Sequence, residues 1–156
     1  MQNRKNLHDY GLVLILFGIL NLYMFVSTVV VALVDGSMAA ALATVEPDIL
    51  VAVKVVIGIL GGFLGLLAFA DALIGAKAMR VSENPTADKG YIFVAKIFFV
   101  VSAIATISSI VALIDGNSPI IDTILNLANS ALGTIVYFLF IKAAQAVRLD
   151  VLKGEK

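Results

Sequence analysis

The sequence predicts an all-α integral membrane protein. Four transmembrane helices form two repeated helical hairpins, with the N-terminus and C-terminus both cytoplasmic. Composition is the first observation. The 156 residues are 61% hydrophobic with a mean hydropathy of +1.05, more apolar mass than a water-facing surface can cover. The second is segment length. Four apolar stretches, at about 10–34, 49–76, 91–114 and 119–147, each exceed the roughly 20 residues needed to cross the hydrocarbon core. None alternates apolar with polar as barrel strands do, so helices must satisfy the backbone.

Charge is the third. Arg4 and Lys5 precede the first stretch; Lys77, Arg80 and Lys89 fall in the 77–90 loop; Arg148, Lys153 and Lys156 lie in the 148–156 tail. The opposite loops hold Asp35, Glu46, Asp48, Asp115 and Asp122 and no lysine or arginine. Basic loops stay on the cytoplasmic side, which sets the orientation.

Helix 1 follows a short polar start and is apolar from Gly11 to Val34. It is too long for a signal peptide and ends at Asp35-Gly36 rather than at a small-x-small cleavage site. A retained span is therefore expected, with Gly36 as its left-handed cap. Asn21 sits near its centre and is costly to leave unpaired, so it is expected to face protein. Segment 37–48 is alanine-rich and too short to span. It suits an interfacial helix or an extension of helix 2, with Pro47 as a start or a kink.

Helix 2 carries the clearest packing signal. Gly58, Gly61, Gly65, Ala68, Ala72 and Gly75 recur three and four apart, which keeps them on one stripe. Gly58/Gly62 and Gly61/Gly65 each satisfy Gly-x-x-x-Gly, the spacing that lets helix backbones approach closely in lipid. Lys54 continues the stripe towards the outer surface. There it would snorkel to Glu46, Asp48 or lipid phosphate, or attract an anion if the stripe lined a cavity.

Asn84-Pro85 breaks the chain between the halves. Helix 3 carries a hydroxyl line, Ser102, Thr106 and Ser109, that its own backbone carbonyls would satisfy. Asp115-Gly116 ends it as Asp35-Gly36 ends helix 1. Ser118-Pro119 then suits an N-cap followed by a first-turn proline.

The two hairpins read as copies. Residues 31–36 (VALVDG) match 111–116 (VALIDG), and 76–81 (AKAMRV) match 144–149 (AQAVRL). In the second register Gly65 falls on Gly133, and Gly58 and Gly61 fall on Asn126 and Asn129. The two amides share a face and are expected to bond exposed carbonyls, a commoner use than ligand binding.

Ionisable residues inside a span are functional candidates. Asp71, Lys96 and Lys142 fall about 9–13 Å from the bilayer centre towards the cytoplasm at 1.5 Å per residue. Asp71 has no basic residue within a turn on its own helix. A structural ion pair with Lys96 or Lys142 is expected, the other lysine snorkelling to headgroups; a charged constriction on a solute path is the sharper alternative.

Several functions are excluded. No cysteine is present, and His8 is the only histidine, so thiolate chemistry and histidine-cluster metal sites within one chain are out. Eleven basic and eleven acidic residues cancel, giving no basic surface for nucleic acid. No catalytic constellation, cofactor motif or metal-ligand spacing appears, which places an intramembrane enzyme last. A non-enzymatic assembly protein is expected, packing with itself or with other membrane subunits through the Gly/Ala face. A small-solute or ion channel or transporter formed by an oligomer is the alternative. Without N-glycosylation sequons (Pro85 follows Asn84), and with compact loops, the expected home is a prokaryotic plasma membrane.

Overall fold

The computed structural model describes residues 2–34, 36, 40, 42–44, 47–116 and 119–154. Among them the fold is all-helical, built from α1 (Gln2–Val34), α2 (Pro47–Glu83), α3 (Gly90–Asp115) and α4 (Ile120–Gly154). Among the described residues three stretches are long and apolar enough to cross a membrane: Gln2–Ser27, Gly90–Asp115 and Ile120–Gly154. The 26 residues of α3 extend about 39 Å, against a hydrocarbon thickness of roughly 30 Å.

The helices outrun the apolar stretches that announce them. α1 begins at Gln2 rather than near residue 10, so His8 is helical. α2 continues to Glu83, which shortens the 77–90 loop to residues 84–89. α4 runs to Gly154, so most of the expected 148–156 tail is helix. Apolarity marks only what lipid covers. Arg, Lys, Gln and Leu at the flanks are good helix formers, and Leu7, Val81 and Val147 in them are buried.

Breakers set the true ends. Pro47 opens α2, where its missing N–H costs nothing. Gly36 (φ 74°) and Gly116 (φ 66°) both take the left-handed conformation expected of them. The Pro119 carbonyl accepts the Thr123 N–H and hydroxyl, each at 3.0 Å; Ser118, the expected N-cap, lies outside the described residues. So does most of segment 37–48, where Ala40, Leu42 and Ala43 are helical and the Ala40 N–H donates to the Gly36 carbonyl at 2.8 Å.

The chain divides into two compact units, Met1–Ile15 with Ile74–Lys156, and Leu16–Leu73. The first contains the start of α1, the end of α2 and all of α3 and α4. Its core lies at the end of the helices where the chain begins and finishes. Leu7, Leu14, Ile74, Ala78, Tyr91, Ala95, Tyr137, Phe140 and Ala144 pack there together.

α3 and α4 run antiparallel in a register fixed by side-chain pairs. Tyr91 meets Phe140 edge-on at 6.1 Å between ring centroids, Phe98 stacks on Tyr137 at 5.7 Å, and Phe99 lies 6.3 Å from Phe138. Further along, the Thr106 and Thr134 hydroxyls are 3.1 Å apart. Away from these seams the apolar side chains are bare: Ile97, Val100, Ile104, Ile107 and Ile114 of α3 are all exposed. Such a face suits hydrocarbon rather than water.

Candidate functional site

The small-residue stripe of α2 divides into a covered end and an open end. At the covered end Gly75 is buried against α1. A Cβ added to Gly75 would collide with the Gly11 carbonyl oxygen and the Ile15 side chain and amide, and one added to Gly11 would lie 2.9 Å from the Gly75 carbonyl oxygen. The two glycines therefore bring the backbones of α1 and α2 into direct contact, the approach that glycine alone permits. Gly11 was not anticipated as a packing residue, because it stands where the apolar run starts and reads as a helix end. The available signal was its spacing: Gly11 and Gly18 are seven apart on one face of α1, and both are buried.

At the open end, a Cβ on Gly58, Gly62 or Gly65 would meet nothing within 4 Å among the described residues. Ala72 is half-buried. Gly61 and Ala68 are helical, and their side-chain surroundings lie outside the described residues. Gly133, the counterpart of Gly65 in the repeat, is buried on α4. The same stretch of α2 carries exposed Val55, Ile59 and Leu66.

Asp71 is buried, at 4% exposure, and belongs to the unit Leu16–Leu73, whereas Lys96 and Lys142 belong to the other. Both lysines are exposed, and the Lys142 ammonium stands 5.0 Å from the centre of the Phe138 ring. Among the described residues no buried side-chain N or O atom lacks a hydrogen-bond partner, which is what a buried carboxyl such as Asp71 requires. Asn21 is half-buried and Lys54 exposed.

Asn126 and Asn129 part company. Asn129 is half-buried, whereas exposed Asn126 lines an open groove between α3 and α4 at the end away from the chain termini. Ser108, Ser109, Ala112, Pro119, Asp122 and Thr123 complete that groove, which encloses about 360 Å³. The Thr106 and Thr134 hydroxyls also reach the Ser102 and Ser130 carbonyls, at 2.8 and 2.9 Å. Two protons serve three contacts, so the interhelical bond forms only when one threonine gives up its own backbone acceptor.

At the opposite end, polar contacts brace the helix termini. Asn3 donates to Asp150 at 3.0 Å, Arg148 to the Ala87 carbonyl at 3.2 Å, and Lys77 pairs with Asp88 at 3.2 Å. Asp88 also accepts the Gly90 N–H at 2.9 Å, fixing the start of α3. The Gly90 N–H first, then Lys77, hold the Asp88 carboxyl below the usual carboxylate range. A depressed folded-state pKa stabilises while the group is ionised. The contribution is present above the ordinary carboxylate pKa and is lost as pH falls through the folded-state value. Acidification through that window should therefore lower the melting temperature of the wild type more than that of Asp88→Asn. Parallel pH profiles of the two proteins would refute this.

Among the described residues no three acidic or histidine side chains are placed to hold a metal ion. The described residues offer a small-residue face on α2 and a small polar groove between α3 and α4. No family model, no curated protein and no solved structure matches the chain.

Proposed function

We propose that the chain is a non-enzymatic tetraspan protein of a prokaryotic plasma membrane, assembling with copies of itself or with other membrane subunits through the open glycine face of α2. In this reading α2 supplies the fourth span and both termini are cytoplasmic, as the basic loops require. The observation that carries it is the contrast along one stripe. Gly75 is covered by α1, while a Cβ on Gly58, Gly62 or Gly65 would meet nothing within 4 Å among the described residues. Glycine weakens a helix by about 1 kcal/mol per residue relative to alanine, and close packing against another helix is the usual compensation in lipid.

The duplicated hairpin is part of the same proposal. Gly36 and Gly116 stand eighty residues apart in matching hexapeptides and share a left-handed backbone, which supports descent of both hairpins from one unit. A second reading, a solute or ion route formed by an oligomer, is favoured by the groove of Ser108, Ser109, Asp122 and Asn126. Flux into liposomes reconstituted with the purified oligomer separates the two.

The chain has no cysteine, so single cysteines report cleanly on neighbours. Gly62→Cys should give a disulfide-linked dimer when native membranes are treated with a mild oxidant. Ile104→Cys, on the exposed flank of α3, should give none. Equal cross-linking at both positions would mean random encounter rather than an interface.

A further inference from the structure

We propose that the outer flank of the α3–α4 hairpin is a binding site for an anionic phospholipid. Its phosphate sits between Lys96 and Lys142, and an acyl chain lies on the Phe99–Phe138 pair. The inference rests on the membrane reading above and goes beyond it, because assembly through α2 needs no lipid site on α3 and α4.

Register and face carry the argument. The contact of Phe99 with Phe138 places those two residues at one depth on neighbouring helices. Lys96 is three residues from Phe99 and Lys142 four from Phe138, both towards the end bearing the chain termini. At 1.5 Å per residue the two lysines stand about 4.5 and 6 Å beyond the aromatic pair, level with each other. Three- and four-residue spacings also keep each lysine on the side of its own phenylalanine.

That side is the outer one. Tyr137, stacked on Phe98, is buried, whereas its neighbour Phe138 lies on the exposed side of α4; Phe98 and Phe99 both pack against the core. Phe138, Lys96 and Lys142 are exposed, and Phe99 is half-buried. Lys96 and Lys142 thus lie at one level on exposed flanks of adjacent helices, with the Phe99–Phe138 pair immediately deeper.

A lysine facing hydrocarbon at this depth is costly unless it reaches an anion or the headgroup layer. Here no acidic residue lies on α3 between Gly90 and Ile114, or on α4 between Thr123 and Leu149. The Lys142 ammonium is held over the Phe138 ring, a cation–π contact that leaves its protons free to donate. A lipid phosphate provides the missing charge and acceptors, and basic pockets between helices on this side are where acidic headgroups bind. Lys89, also exposed, lies about 10 Å further out than Lys96 along the helix axis, at headgroup level rather than beside the aromatic pair.

The test uses the full chain in nanodiscs of equal parts phosphatidylcholine and phosphatidylglycerol, with retained lipid read by native mass spectrometry. Wild type should keep phosphatidylglycerol in preference to phosphatidylcholine. Lys96→Gln or Lys142→Gln should cut that preference about fivefold, and the double variant about thirtyfold. Lys54→Gln and Lys89→Gln should leave it unchanged. Both lysines are exposed, so the double variant should stay folded, its thermal transition lowered by no more than the loss of the Lys142–Phe138 cation–π contact. Equal retention of the two lipids by wild type, or a preference that survives the double substitution, overturns the site. So does an equal loss with Lys89→Gln, which would report general surface attraction. A chain that does not enter the nanodisc overturns the membrane reading and the site with it.

Discussion

Gly75→Leu should leave the protein without its folded bundle. The residue sits where α2 crosses α1, and even a methyl group there runs into the Gly11 carbonyl and Ile15. Those atoms are mainly backbone, so no rotamer change relieves the clash, and the helices must separate. Overpacking a core typically costs about 1–3 kcal/mol. A side chain of four carbons forced against a backbone should reach the top of that range or exceed it. Gly75→Ala should show a smaller loss of the same sign. Reversible unfolding in mixed micelles, followed by circular dichroism, measures both. A Gly75→Leu protein as stable as wild type would show that the crossing does not hold the bundle together.

Phe140→Ala should destabilise by about 3–5 kcal/mol, the usual range for removing a fully buried aromatic side chain. Phe140 has no exposed surface and meets Tyr91 edge-on from the neighbouring helix. In lipid the loss is mostly of dispersion contacts and of the cavity left behind, since hydrocarbon surrounds the helices in either state. Phe138→Ala, on the exposed side of the same helix, is the contrast. It loses only the Phe99 contact and the Lys142 cation–π interaction and should cost about 1 kcal/mol. Equal effects at the two positions would mean that the core does not lie where Tyr91, Tyr137 and Phe140 place it.

Much of the architecture can be read from the residues. The apolar runs locate α3 and α4 closely, and Gly36 and Gly116 mark left-handed turns because a residue with a Cβ is strained there. Helix ends were harder. Hydropathy reports where lipid is expected, whereas a helix stops where backbone hydrogen bonding is broken, so the polar flanks at 2–9, 77–83 and 148–154 were read as loop or tail. The buried ends explain why they are helical: Leu7, Ala78 and Val147 complete the core beyond the apolar runs.

The stripe shows what periodicity can and cannot give. Spacing places six small residues on one face, but only coordinates distinguish Gly75, covered within the chain, from Gly58 and Gly65, which are open. Gly11 stands out less, because a single glycine near the start of a run carries no pattern until Gly18 is counted with it. The pairing expected of Asp71 with Lys96 or Lys142 is read from depth along the helices. Depth puts Lys96 and Lys142 at the right level, but their faces depend on how α3 meets α4. The sequence does not state that register; the Phe99–Phe138 and Thr106–Thr134 contacts do.

The most direct test of the central claim is the mass of the protein released from nanodiscs, compared between wild type and Gly62→Leu. A Cβ at position 62 would meet nothing within 4 Å among the described residues, so the folded protomer should survive, with an unchanged thermal transition once monomeric. Assembly through the open face predicts a single closed oligomer, or a complex with another membrane subunit, for wild type and a monomer for Gly62→Leu. An assembly of the same mass in both proteins would contradict the account.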